Sequence, residues 1–343
     1  MHKKDIKISY LVSFFLLIEI FNITNTSANS TIKNEVLTQQ LNYSISGRAP
    51  LPSEPVDVVY TYVQPDPDWQ ERKEQLFQEN YNPEIHNIDC NVRCRFQNRN
   101  ELQFSIRSVQ KFLPFVRNIY IVTDNQTPAW YEKDAFPNIK IIDHKMIFPI
   151  EDDLPTFNSH SIEANLHRIP GLSENFIYLN DDVFIGEECS YEDFLDPLNR
   201  PKIFLDPCDS KSGEPTPSEI GYRSAWKNTN ALLNRWFSIE KRKKTAHAPF
   251  VINRRIINKL WALLEAELLR TSAQKFRSIQ DYSLVASIYP YFSMYLGEAV
   301  ESEVKTKTLY LQDDIEKNLA ALEDLKQNNY NFFCLEDSCS DLA

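Results

Sequence analysis

The stretch Leu154–Gly186, LPTFNSHSIEANLHRIPGLSENFIYLNDDVFIG, decides the fold. After an opening loop, Ser161 to Ile169 places Ile162, Leu166 and Ile169 on one apolar stripe at helical spacing. Pro170-Gly171 closes that helix. The continuous apolar run Phe176, Ile177, Tyr178 and Leu179 predicts a strand covered on both faces, and it ends on Asn180, Asp181 and Asp182. Open α/β sheets bind ligands outside the carboxyl ends of their strands. Two adjacent carboxylates there suit a divalent cation, which would neutralise a phosphate-bearing substrate. The competing reading is an Asn-Asp-Asp turn with solvated side chains, and the segment alone leaves both open.

Working outward, Val56 to Val63, VDVVYTYV, is β-branched and aromatic throughout and predicts the first strand. Asp57 is a charge in an apolar run, so it needs a partner or a role. The turn Gln64 to Asp68 ends the strand, and Trp69 to Tyr81 predicts a solvent-facing helix. Asn98 to Leu113 is amphipathic, with Leu102, Ile106, Val109 and Leu113 at helical intervals. Strands at Asn118–Asp124 and Ile139–Asp143 follow. Strands alternating with helices imply an α/β fold with a mainly parallel sheet. Neither a G-x-G-x-x-G fingerprint nor a P-loop is present, so phosphates must be held by metal and basic side chains instead.

The second half predicts helices at Ser224–Trp236, Ile256–Leu269, Tyr282–Leu296 and Asp313–Gln327, the third bent at Pro290 and ended by Gly297. Cys189 to Glu219 is Pro- and Asp-rich and predicts an irregular flap or insertion. The run Lys241–Lys244 is either a solvated loop or a phosphate attractor. His247 follows it outside any apolar period. Such a histidine is most often structural, but this placement makes it a candidate base.

A net charge of -11 argues against a nucleic-acid surface. Lys3 and Lys4 precede an apolar stretch from about Ile6 to Ile23, so residues 1–28 predict a signal peptide or signal anchor, with 29–55 a polar stem. An exported chain with six cysteines favours disulfides, with Cys90/Cys94 and Cys334/Cys339 as plausible local loops. N-x-S/T triplets at Asn22, Asn25, Asn29, Asn42 and Asn125 fit a secretory lumen.

Four stretches in order resemble the Stealth proteins, the sugar-1-phosphate transferases of bacterial capsule synthesis and the lysosomal-enzyme GlcNAc-1-phosphotransferase. They are VDVVYTYV; RFQNRNELQFSIRSVQKFLPFVRNIYIVTDNQTPAW through the opening stretch; NTNALLN with TAHAPFVINRRI; and FRSIQDYSL. The resemblance implies a nucleotide-sugar-transferase-like, Rossmann-type, GT-A-like sheet flanked by helices, with a helical C-terminal portion. It implies one catalytic domain over 56–343, divided into 56–186 and 187–343. It implies transfer of a hexose-1-phosphate from a UDP-sugar to a hydroxyl of a glycan or glycoprotein acceptor, with Mg2+ or Mn2+ and release of UMP.

Position by position, the resemblance makes His247, Asp181, Asp182, Arg277 and Asp281 catalytic, with Asp181 and Asp182 on the metal. It places the nucleotide-sugar near Asp57, Tyr60, Thr61, Asn180 and Arg107. His247 would act as base or as nucleophile. The chain departs from the family at Tyr62, usually Trp, at Gln64 to Pro67, usually a glycine-containing turn, and at Asn98-Arg99-Asn100, usually acidic. Two other functions fit less well: a metal-dependent glycosyltransferase that moves only the sugar, and an inactive glycan- or nucleotide-sugar-binding protein. Expected locations are the Golgi lumen with a type II anchor, secretion, or a bacterial envelope.

Overall fold

A computed structural model describes residues 54–312 and 314–337, so the expected signal segment, the stem and Cys339 lie outside the described residues. In chain order the strands and α-helices begin β1 (Val56–Thr61), α1 (Pro67–Asn80), α2 (Glu101–Phe112), β2 (Val116–Thr123), β3 (Ile139–Asp143) and α3 (Ser159–Asn165). They continue β4 (Asn175–Leu179), β5 (Val183–Ile185), β6 (Lys202–Asp209), α4 (Gly221–Trp236), β7 (Lys243–Thr245), β8 (Phe250–Asn253) and α5 (Arg254–Leu263). The last are α6 (Glu265–Ser272), α7 (Tyr289–Tyr295), β9 (Val300–Ser302), β10 (Thr306–Leu311), α8 (Ile315–Gln327) and β11 (Phe332–Asp337). Two compact units divide them. The smaller contains, of the described residues, 312 and 314–329; the larger holds the rest. In the smaller, Asp314 caps α8 through the backbone N–H groups of Glu316 and Lys317, and Leu322 and Leu325 are buried.

The larger unit is α/β. Its central sheet has the order β3-β2-β1-β4-β8, parallel except for β8. Side chains alternate along a strand, and here the alternation sorts them between two cores. Val59, Tyr120, Val122, Phe176 and Tyr178 face one core, closed by Ile257 and Leu260 of α5, Leu268 of α6 and Phe292 of α7. Val58, Tyr60, Ile119, Ile121, Ile177 and Leu179 face the other, closed by Leu102, Ile106 and Val109 of α2. Each fully buried aliphatic or aromatic side chain contributes about 1.5–3 kcal/mol, which explains why the sheet's strands are apolar on both faces.

Several elements differ from expectation. The segment expected to be an irregular flap contains β6, which joins β7 and β9 in a second sheet. A third sheet, β10-β11-β5, uses the apolar run Phe332–Leu335. The C-terminal portion thus carries six strands beside its helices. The helix expected over Ile256–Leu269 breaks at Leu264, whose φ of -127° and ψ of 30° leave the helical region. Pro290 falls in the first turn of α7, where a missing N–H costs little, after a π turn at Leu284–Ile288. Gly297 ends that segment at φ 68°. Trp69 is buried against Phe96 and Phe157 and is not solvent-facing.

The local disulfide loops do not form: Cys90 and Cys334 are free thiols, as are Cys189 and Cys208, whereas Cys94 is disulfide-bonded. No helix among the described residues is long and apolar enough to cross a membrane.

Candidate active site

The chain leaves β1 for β2 and β3 on one side and returns with β4 on the other. That reversal opens a crevice at the strands' carboxyl ends. A cleft of about 510 Å3 occupies it, lined by Thr61 and Tyr62 at the end of β1, Asp124 after β2, His144 after β3 and Asn180, Asp181 and Asp182 after β4. Arg277 and His247 also line it. The cleft therefore joins residues from β1 to β11.

His247 follows β7 and enters beside the acidic pair. Its Nε2 is 3.3 Å from Asn180 Nδ2, and its Nδ1 is 3.9 Å from Glu336 Oε2. When the Asn180 amide donates to Nε2, the imidazole proton sits on Nδ1, facing Glu336. One ligand atom each from Asp182, His247 and Cys334 lie within 4.8 Å of one another.

Burial holds the Asp181 carboxyl well above the usual carboxylate range, and the charges of Asp182 and Glu101 add to it. Asp182 Oδ1 is buried and has no hydrogen-bond partner among the described residues. Crowded carboxylates with an orphaned oxygen fit a divalent cation. Burial and the neighbouring Asp182 push the Cys334 thiol far up, so it stays protonated and bonds Asp182. That leaves carboxylate oxygens and imidazole as donors, a set suited to Mg2+ or Mn2+.

A cationic wall stands elsewhere in the cleft. Arg95 donates to Asp89 Oδ2 at 2.9 Å, and Arg277 lies 3.5 Å from the same oxygen. Two guanidinium groups thus share one carboxylate, and burial followed by Arg277 lowers the Arg95 pKa to about 10. The Nε atoms of both arginines are buried and unpartnered among the described residues, so the pair is set up to receive an anion. Ser159 accepts from Arg277 at 2.9 Å, and Asp89 accepts from the Gly221 N–H at 2.7 Å. Gly221 itself leaves room for the arginine: a Cβ there would lie 2.6 Å from Arg277 Cδ. Arg277→Lys is expected to lower turnover at least about tenfold without lowering the melting temperature, because an ammonium cannot present the guanidinium fork. Steady-state rates beside a thermal melt check this.

Asp281 does not line the cleft. It is fully buried and accepts from Asn158 Nδ2 at 2.8 Å and from His160 Nδ1 at 3.0 Å. His160 does line the cleft, so Asp281 meets the cleft only through the ring it bonds. Thr61 and Asn180 reach the cleft as expected, whereas three other residues do not. Asp57 lies at the opposite end of β1, where Arg117 Nε, the backbone and side-chain nitrogens of Asn118 and the Ser173 N–H hold it. Tyr60 is fully buried and bonds Ser105 at 2.8 Å. Arg107 lies on α2 with its guanidinium 5.3 Å from the Phe104 ring centroid.

Sequence reading missed Arg95, His160, Glu163, Cys334 and Glu336 in the cleft or at its metal-ligand cluster. Arg95 and His160 sat inside quoted motifs, and Glu336 closes an apolar strand-like run. The departures at Tyr62, Gln64 and Asn98 meet in space: Tyr62 donates to Gln64 at 2.7 Å and Asn98 to Tyr62 at 2.9 Å. They form one neutral hydrogen-bonded knot.

Conserved region 2 of the Stealth proteins matches residues 95–203, and conserved region 3 matches residues 246–295. A capsular polysaccharide phosphotransferase of Haemophilus influenzae is 40% identical, covering 72% of this chain and 67% of its own length. The chain belongs to the Stealth family. In this Stealth chain, region 2 contains Arg95, His160, Asp181 and Asp182, and region 3 contains His247, Arg277 and Asp281. An exopolysaccharide phosphotransferase of Streptomyces coelicolor is also 40% identical, over 73% of this chain and 26% of its own length. The chain spans about half or less of the Streptomyces relatives it matches, from 26% to 52%. A looser likeness in shape links the Stealth chain to mouse xyloside xylosyltransferase 1, with a TM-score of 0.41, 9% identity and coverage of 82% and 97% of the two chains.

Proposed function

We propose that this chain transfers a hexose-1-phosphate, GlcNAc-1-phosphate first among candidates, from a UDP-sugar to a hydroxyl of a glycan or glycoprotein acceptor, releasing UMP. One observation carries the proposal: an acidic pair, a histidine and two half-orphaned arginines share one cleft at the sheet's switch point. The phosphotransferase names of its relatives support the same class.

The acceptor oxygen attacks the β-phosphorus, forming one O–P bond. The bond from that phosphorus to the bridging oxygen breaks, and UMP leaves with that oxygen. His247 takes the acceptor proton; a nucleophilic role, forming a phosphohistidine first, is the rival route. Arg277 and Arg95 offset charge on the phosphoryl oxygens, as transfer of this kind depends on positioning and charge neutralisation. Asp181 and Asp182 would hold the cation, which when bound supplies further charge neutralisation at the diphosphate. Capsule and exopolysaccharide relatives favour a bacterial-envelope setting over a Golgi lumen.

Incubating the full chain with UDP-GlcNAc, Mn2+ or Mg2+ and glycan acceptors, then identifying the nucleotide, tests the proposal. UMP is expected. UDP would assign glycosyl transfer instead, and binding without release of either would leave a carbohydrate-binding protein.

A further inference from the structure

The cleft has a second wall of different chemistry. Tyr222 and Trp226 stand four residues apart on α4, with ring centroids 4.8 Å apart and planes at 63°. Lys244 on β7 holds its Nζ 5.6 Å from the Trp226 centroid. Tyr310 on β10 is 59% exposed, and all four residues line the cleft.

Buried tyrosines elsewhere in the molecule use their hydroxyls, as Tyr60 does on Ser105 and Tyr178 on Thr61. The Tyr222 and Tyr310 hydroxyls, the Trp226 indole N–H and the Lys244 ammonium make no hydrogen bond or ion pair among the described residues. Half-exposed aromatic rings with unused polar tips suit a ligand that is apolar on one side and polar at its edge. A phosphate would not use the rings, and an alkyl chain would strand the polar tips. A pyranose ring satisfies both, with its C–H face on the indole and its hydroxyls at the rim.

Position decides which sugar. Tyr310 pairs in register with Glu336, the residue facing His247, and Thr308 pairs with Cys334. Lys244 precedes His247 by three residues. The wall therefore belongs to the side of the cleft where the acceptor proton must be taken. We propose that Tyr222, Trp226 and Tyr310, edged by Lys244, form the acceptor subsite and seat a neutral pyranose with one hydroxyl toward His247. This rests on the transferase reading above.

Saturation-transfer NMR on the full chain, with methyl glucoside, mannoside, galactoside and N-acetylglucosaminide as probes, reads ring-proton contact directly. Calorimetry with UDP-GlcNAc reads the donor in parallel. At least one pyranoside is expected to show ring-face saturation in the wild type. Trp226→Ala and Tyr310→Ala are expected to weaken its binding about tenfold, the scale of losing an aromatic anchor. Trp226→Phe should restore part of it, and UDP-GlcNAc affinity should stay within about twofold in every variant.

No pyranoside contact in the wild type overturns the inference. So does an unchanged pyranoside signal in a folded Tyr310→Ala protein, because Tyr310 is too exposed for its loss to unfold the chain. A tenfold loss of UDP-GlcNAc affinity in Trp226→Ala, with the pyranoside unaffected, also overturns it and assigns the wall to the uracil. Pyranoside binding without any UDP-GlcNAc binding would sink the donor assignment and leave the sugar platform standing.

Discussion

His247→Ala lowers UMP release by about 10²–10⁴-fold, the usual contribution of a positioned proton acceptor, while the melting temperature stays unchanged. The fold should survive because the imidazole is 30% exposed and belongs to neither buried core. The loss should fall on the chemical step. Asn180 and Glu336 flank the ring and set its tautomer and orientation, which a water in its place would not reproduce. UMP release at saturating donor and acceptor, beside a thermal melt, measures it. A variant that keeps most of its activity would remove His247 from the chemistry. Recovery of the variant by excess Mn2+ would make the imidazole a metal ligand, since its ligand atom lies within 4.8 Å of one from Asp182.

Asp57→Ala gives the largest effect on stability, about 2–4 kcal/mol lower unfolding free energy, from buried donors left without an acceptor. The N–H groups of Asn118 and Ser173 and the Asn118 side chain all point at a carboxylate with no exposed surface. Arg117 adds less, because its side chain is 42% exposed and water can take it back. Although burial raises the Asp57 carboxyl, the bonds from Arg117 and Ser173 outweigh it and hold the pKa below the ordinary 3.8. A depressed pKa means the stabilisation is fully present above the unfolded value and is lost as pH falls through the folded one. Denaturant melts of wild type and variant should therefore differ by a constant amount at neutral pH and converge below pH 3.8. UMP release by the folded variant, measured at low temperature, should remain near wild type. A selective rise in the donor KM would instead return Asp57 to the nucleotide site.

The contrast between Asp57 and Asp181 shows where sequence reading succeeded and where it stopped. Both are charges in or beside apolar strands, and both matched family positions. Asp57 sits at the start of β1, opposite the edge where the parallel strands end, and Asp181 sits just past β4 on that edge. Strand direction separates them, and direction relative to a binding edge is known only once the strands are paired. Tyr60 and Arg107 were misplaced for a related reason. Neighbours in a strand alternate between faces and neighbours in a helix turn around its axis, so proximity to Thr61 in sequence does not bring Tyr60 into the cleft.

Local pattern was sufficient wherever short-range physics decides. Apolar runs located β1 to β4, helical spacing located α2, and Pro170-Gly171 and Gly297 marked real ends. Strand boundaries moved by a residue or two, and Asn98 to Asn100 stayed outside α2 because Asn100 takes a left-handed conformation at φ 67°.

The sequence by itself determined an α/β chain with a parallel sheet and an acidic strand end, because side-chain periodicity and turn chemistry act over a few residues. Only the tertiary structure decided that β11 lies beside β5, bringing Cys334 and Glu336 to Asp182 and His247 from the far end of the chain. It likewise decided that Asp281 bonds His160, and that two arginines share Asp89. Apart from Arg95 with Asp89, these contacts join residues far apart in the chain, and they depend on which buried surfaces close on one another, which no local pattern records.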